Sequence, residues 1–395
     1  MLHQQTPVEN PPRPLISFII PCYNEPREML TDCIESILSL PLRSEEREVI
    51  VVDDGSATPI ATFLAPYGEA LQLLRQDNLG LAAARNAALE CARGTYVQFV
   101  DSDDRLIPSQ YSHVIREIKN RRPDILLFGW TRSEHFRECS ACRPMTDGVS
   151  HLLKNNIQGS ACHYVFRFDL LGSLRFPVGL FHEDEAFTPL LFLRAKTLLP
   201  TDITAYFYRR CPSSITTRRS RSHFETRLNH LLAVIKRLRD ETCHLKGNAR
   251  KALDRRVSQL TMDYIYQAVM LLRSRKDLFS HVLLLKTNGL YPLPVRRYTL
   301  KYFFFSLLAN TSAGLFSASY CLWQSRRSKS GRSKRVDAYP FFRRPSLFVV
   351  PHLRGRQKNI RCLLSRQNGI LLSGSSQIKH HTSPLPSFPL YILPK

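Results

Sequence analysis

Apolar positions follow two rhythms along this chain. Up to about residue 210, short and nearly unbroken apolar runs alternate with stretches where apolar residues recur at helical spacing; beyond His223 only the helical rhythm remains. Leu15–Pro21 (LISFIIP), Glu48–Val52 (EVIVV), Tyr96–Val100 (YVQFV) and Ile125–Phe128 are runs of the first kind. They are short and rich in β-branched or aromatic residues, which predicts strands buried on both faces of a sheet. Between the first two, Leu30, Ile34, Ile37 and Leu38 predict a helix with one face inward, and a second helix is expected over Gly80–Ala92. A third, His182–Arg194, opens on three acids. The βαβαβ alternation predicts an α/β domain built on a Rossmann-like, mainly parallel, doubly wound sheet.

In the second half, Phe224, Leu228, Leu231, Ile235 and Leu238 form one helical stripe, and Leu260–Leu272 carries another. Residues 303–323 hold no charge and are flanked by Arg296, Arg297 and Lys301 before and Arg326 and Arg327 after. The run is long enough to span a bilayer, but Asn310, Thr311, Ser312 and Gly314 interrupt its middle, so a helical pair lying on a membrane surface is expected instead. The predicted organisation is a disordered segment 1–14, an α/β domain 15–222, a helical, membrane-associated region 223–324, and a basic tail of low order, 325–395.

Composition refines this picture. With 395 residues, 43% apolar and 23% charged, the chain has material for a full-sized domain and an appendage rather than a disordered polymer. A net charge of +23 points toward polyanions. Its distribution weakens that reading, because fifteen Lys and Arg against the single acid Asp337 fall within 325–395. No RNA-binding motif accompanies the charge, and no specific nucleic acid is expected as a partner. The ten cysteines follow no repeated spacing, and Cys139 and Cys142 lack the second ligand pair of a zinc site. The polar, proline-rich start lacks the regions of a signal peptide, so the expected location is cytoplasmic, peripheral at the inner face of the plasma membrane.

Ligands of open α/β sheets sit outside the carboxyl ends of the strands. Three polar loops arrive there: Pro21-Cys22-Tyr23-Asn24, Asp53-Asp54-Gly55-Ser56 and Asp101-Ser102-Asp103-Asp104. Asp101 and Asp103 offer hard oxygen ligands suited to Mg²⁺ or Mn²⁺ bridging a diphosphate. Asp53 or Asp54 can accept hydrogen bonds from a base N–H or ribose hydroxyls. Each cluster alone reads equally as an ordinary turn; their ordered succession is what carries information.

That succession resembles the inverting glycosyltransferase family 2, with its GT-A fold. The stretches that carry the resemblance are PCYNE (Pro21–Glu25), VVDDGS (Val51–Ser56), DNLGLAAARNAAL (Asp77–Leu89), YVQFVDSDD (Tyr96–Asp104) and FHEDEAF (Phe181–Phe187), within about Leu15–Arg210. The resemblance implies a nucleotide-sugar site formed by Pro21, Tyr23, Glu25, Asp53, Asp54, Asn78, Gly80, Arg85, Asn86 and Ser102, with Asp101 and Asp103 at the metal. For Arg85 a phosphate contact and a brace on the acidic loop both remain open. Asp184, in the stretch similar to the family's ED motif, is implied as the general base, and Tyr208-Arg209-Arg210 as a closing segment over the diphosphate. The Gln-x-x-Arg-Trp motif of processive synthases is not evident, so transfer of one sugar at a time is expected. The implied donor is a nucleotide-diphosphate sugar, UDP-linked, and the acceptor a glycan or lipid-linked saccharide of bacterial polysaccharide synthesis. The competing expectations are a protein that binds nucleic acid or an anionic membrane through its charge, and a sugar-nucleotide binder without catalysis.

Overall fold

The computed structural model describes residues 13–136, 138–209, 221–271, 275–315 and residue 317. Its centre is an eight-stranded sheet in the order β3-β2-β1-β4-β7-β6-β8-β5. The strands are β1 (Ile16–Cys22), β2 (Arg47–Asp54), β3 (Gln72–Gln76), β4 (Tyr96–Phe99), β5 (Arg105–Leu106), β6 (Ile125–Thr131), β7 (Tyr164–Arg167) and β8 (Leu198–Phe207). β1 runs parallel to β2 and β4, and β2 parallel to β3. This half is the Rossmann-like unit expected from the apolar runs, and β1, paired with β2 and β4, is buried along its whole length, as a strand covered on both faces must be. The other half is mixed: β7 is antiparallel to β4 and β6, β5 is antiparallel to β8, and β6 is parallel to β8.

Ten helices are described: α1 (Arg27–Leu38), α2 (Ala61–Leu64), α3 (Leu81–Cys91), α4 (Pro108–Arg121), α5 (Gly148–Lys154), α6 (Glu183–Arg194), α7 (Arg221–His244), α8 (Gly247–Leu271), α9 (Arg275–Thr287) and α10 (Leu300–Ala309). Local chemistry marks their starts. Pro108 occupies the first turn of α4, where its missing N–H costs nothing. Asp147 caps α5 by accepting from Ser150 N at 2.8 Å. Glu183, Asp184 and Glu185 form the first turn of α6, where negative charge complements the helix dipole. The stripe predicted in the second half faces inward, with Leu228, Leu231, Ile235 and Leu238 buried.

The uncharged run near the C-terminus is broken where its polar residues stand. α10 ends at Ala309, the chain turns at Asn310 and Thr311, and a helical turn resumes at 312–315. Among the described residues no helix is long and apolar enough to cross a membrane. The described residues belong to one compact unit. The expected basic tail, 325–395, lies outside the described residues, as do 316, 318–323 and most of the expected disordered start.

Candidate functional site

The three polar loops emerge at the carboxyl ends of β1, β2 and β4 and are bonded to one another. Asn24, after β1, takes a left-handed conformation with φ 51°. Its N–H donates to Ser56 Oγ at 2.9 Å, and its side-chain oxygen accepts from Ala57 N at 2.9 Å. Ser56 N in turn donates to Asp53 at 2.9 Å. Gly55 between them has φ 74°, and a Cβ there would stand 2.7 Å from Asn78 N, so this turn accepts only glycine. The Asp-Asp-Gly-Ser run is thus a hinge joining the β1 loop, the β2 loop and the approach to α3.

Asp53 and Asp54 are buried, and their carboxylates are taken up inside this hinge. Asp53 pairs with Arg75 from β3, which also donates to Ser56 O at 3.0 Å. Asp54 accepts from Gln76 Nε2 at 2.7 Å, Leu79 N at 3.0 Å and Gly80 N at 2.9 Å. Through these bonds Asp54 holds the start of α3, for which Gly80 is the N-cap with φ 90°. A polar recess of about 470 Å³, lined by Gly55, Arg75, Gln76, Asp77 and Asn78, opens beside the hinge. Pro21 is buried at the end of β1, whereas Tyr23 and Asn78 are exposed.

The DxD loop follows β4. Ser102 Oγ donates to Glu25 at 3.5 Å, tying it to the β1 loop. Burial, and then the neighbouring charge of Asp103, push the Glu25 carboxyl up to about 7. Asp104, whose role was not apparent from the sequence, is buried beneath the loop and accepts from Tyr206 OH at 2.8 Å and Arg209 N at 2.7 Å. Burial, followed by Asp101 and Asp103, pushes Asp104 to about 9. The Arg209 side chain pairs with Asp32 on α1; Arg210 lies outside the described residues.

Arg85 joins two of these motifs. It is 2% exposed, on α3, with its guanidinium carbon 5.3 Å from the centre of the Phe176 ring and 5.7 Å from that of Phe99. One amino group donates to Asp101 at 3.0 Å and the other to Glu183 at 2.9 Å. Burial opposes its charge, but Asp101, Glu183 and Asp184 outweigh that and hold it protonated. Arg85 is therefore a brace that fastens the DxD loop to the first turn of α6. Asn86 likewise holds backbone, donating to Phe176 O and accepting from Phe176 N, both at 2.9 Å.

Asp184 stands next to this ion pair, with one oxygen accepting from Glu185 N at 3.1 Å. Burial, then Glu183, push its carboxyl well above the usual range, although Arg85 works in the opposite direction. Such a group holds its proton more tightly than an exposed aspartate does. His182, before it, adopts φ 64° at the start of the helix, so the acidic turn is entered through a sharp bend. α7 and α8 reach this turn from behind. His230 accepts from Phe181 N at 3.0 Å, and Arg256 pairs with Glu185 while donating to Ile157 O at 3.0 Å. These contacts from beyond residue 222 had no signal in the local sequence.

Among the described residues no three His, Cys, Asp or Glu side chains converge as a metal cage. Magnesium sites on nucleotides commonly use one or two carboxylates and complete their shell with phosphate oxygens and water. Asp101 and Asp103 fit that pattern as hard oxygen donors, and Glu25 beside them is raised by burial and then by the charge of Asp103, which a cation would offset.

Residues 17–138 match the family model for glycosyl transferase family 2. Over that segment the chain is similar to family 2 glycosyltransferases. It is similar to EpsJ of Bacillus subtilis (strain 168), described as an uncharacterized glycosyltransferase, at 30% identity over 51% of this chain and 63% of EpsJ. The match thus spans less than two thirds of that relative. GlyG, a glycosyltransferase of Streptococcus pneumoniae serotype 4, is 24% identical over 63% of this chain and 87% of its own length. Among solved structures, residues 1–349 of S. aureus TarS in complex with UDP superpose with a TM-score of 0.57. That likeness covers 82% of this chain and 93% of the TarS fragment at 21% identity, and it is a likeness of fold. The family match over residues 17–138 and the likeness of fold agree with the resemblance carried by the sequence motifs.

Proposed function

We propose that this chain transfers a single sugar from a nucleotide-diphosphate sugar, UDP-linked, to a glycan or lipid-linked saccharide acceptor of bacterial polysaccharide synthesis, with inversion at the anomeric carbon. The observation that carries the reading is the guanidinium of Arg85 shared between Asp101 and Glu183, which brings the DxD and ED motifs to one place. UDP bound to TarS, a protein of the same fold, supports the choice of nucleotide.

In this reading the nucleoside lies against Tyr23 and the recess beside Gly55 and Asn78, and the Asp53–Asp54 hinge fixes the shape of that surface. The diphosphate lies over the DxD loop. A Mg²⁺ or Mn²⁺ ion held by Asp101 and Asp103 would neutralise the charge of the departing nucleotide. Asp184 accepts the acceptor hydroxyl proton while that oxygen bonds to the anomeric carbon and the bond from this carbon to the phosphate oxygen breaks. A single displacement requires no second enzymic nucleophile, which is why one base suffices for inversion.

The test is a donor screen in Mn²⁺ that measures nucleotide release and sugar transfer by wild type, Asp103→Ala and Asp184→Asn. The expected result is release from one UDP-sugar, lost in Asp103→Ala, with transfer lost in Asp184→Asn. Equal turnover in all three proteins refutes the assignment.

A further inference from the structure

We infer that the exposed face of α10, with the basic loop that leads into it, docks this chain on a bilayer surface containing anionic phospholipid. This contact is independent of the transfer reaction. Leu300, Phe304, Leu307 and Leu308 share one face of the helix, since these spacings return to the same side of the α-helical turn. All four are exposed, Leu300 by 77% and Phe304 by 56%, while Tyr302, Phe305, Ser306 and Ala309 on the other side are buried. Large apolar side chains presented together on a fixed helix are otherwise uncommon at a water-facing surface.

Charge identifies the occupant. No Asp or Glu occurs from Leu278 to Val336. Within that span the loop before α10 exposes Val295, Arg296 and Arg297, and Lys301 follows in the first turn. Lys301 has Asp263 as an electrostatic neighbour, so Arg296 and Arg297 carry most of the outward charge. Apolar side chains flanked by cations match the interface of a membrane, where the former enter the acyl boundary and the latter meet phosphate headgroups. A protein partner with an apolar groove would not require so long a stretch without acids. The helix is too short to cross the hydrocarbon layer, so the contact lies in the plane of the surface.

The experiment is co-sedimentation of the full chain with vesicles of phosphatidylcholine alone and of phosphatidylcholine mixed with phosphatidylglycerol. Wild type is expected to partition to the mixed vesicles and not to the neutral ones. Phe304→Glu combined with Leu308→Glu should weaken partition on the order of tenfold, and Phe304→Ser alone should weaken it measurably. Both variants should keep the melting temperature and nucleotide-sugar turnover of wild type, which separates this proposal from the catalytic one. Should the double variant fail to fold, the single variant decides. Undiminished partition of a folded variant would mean that another segment binds, and would overturn the proposal. So would equal binding to both vesicle types, or a wild-type dimer that Phe304→Ser dissociates, since the face would then receive a second copy.

Discussion

At the scale of single residues, the site depends on charges held where water cannot screen them. Removing Arg85 leaves Asp101 and Glu183 without their shared partner, and breaking a buried pair in this way costs about 3–5 kcal/mol. Arg85→Gln is therefore expected to lower the melting temperature strongly and to reduce turnover about 100-fold or more, because the two motifs lose their common anchor. Arg85→Lys should recover little, since one ammonium cannot fork across two carboxylates. Thermal melts and steady-state rates check both variants. Asp184 gives a prediction in pH. Its raised carboxyl must lose a proton before it can act as base, so turnover should rise with pH along a limb above the usual aspartate value of about 4. Stability has the opposite sign: the contribution of the retained proton is complete below that usual value and is lost as pH rises through the raised one. Asp184→Asn should abolish the limb and flatten the stability profile, and pH-dependent rates with melts from pH 4 to 9 test this.

At the scale of elements, α8 supports the catalytic helix although it comes late in the chain. Arg256 is buried and pairs with Glu185, one residue from the proposed base, while Arg255 closes the end of α5 by donating to Leu152 O at 2.6 Å and Asn155 O at 2.9 Å. Replacing Arg256 by Ala leaves Glu185 charged and uncompensated, and Glu185 already raises Asp184. The expected outcome is a loss of about 3 kcal/mol in stability and displacement of the acidic limb to higher pH. Arg256→Lys should return the limb toward wild type even where stability is only partly restored, which separates an electrostatic role from simple packing. The legibility of the elements follows from the same physics. β1, β2 and β4 were apparent from the sequence because burial on both faces leaves unbroken apolar runs. β3 (QLLRQ) was not, since it lies at the sheet edge with Gln72 and Arg75 exposed. β8 carries Pro200, Thr201 and Asp202 in its middle and reads as a loop until β6 pairs with it. Among site residues, the loop acids were legible from their motifs. The pairing of Arg85 with Glu183, 98 positions apart, and of Arg256 with Glu185, 71 apart, leaves no local trace in a single sequence.

At the scale of the molecule, these contacts decide where the chain can be cut. A boundary at residue 222 follows the change in rhythm from alternating strands and helices to helices alone, but α7 and α8 contribute His230, Arg255 and Arg256 to the surroundings of α5 and α6. Ala252 of α8 is part of the same apolar cluster as β1 and β4. A chain ending at residue 222 would expose the buried side of α6 and leave Glu185 and the end of α5 without their arginines. It should be recovered as aggregate or as a species without a cooperative melt, because unpaired buried groups and lost apolar burial act together. A chain ending at residue 324 keeps every contact named for the site and loses fourteen of the 23 net positive charges. It is expected to melt cooperatively at the wild-type temperature and to release nucleotide at the wild-type rate. Its partition to anionic vesicles should weaken with the lost charge but still respond to Phe304→Ser, since α10 remains. The paired comparison, melting and turnover for both truncations and vesicle partition for the longer one, sets the limits of the catalytic unit and of the membrane contact separately. Cooperative folding of the shorter chain would show that the helical region is dispensable to the sheet domain, and would remove the support assigned here to α8.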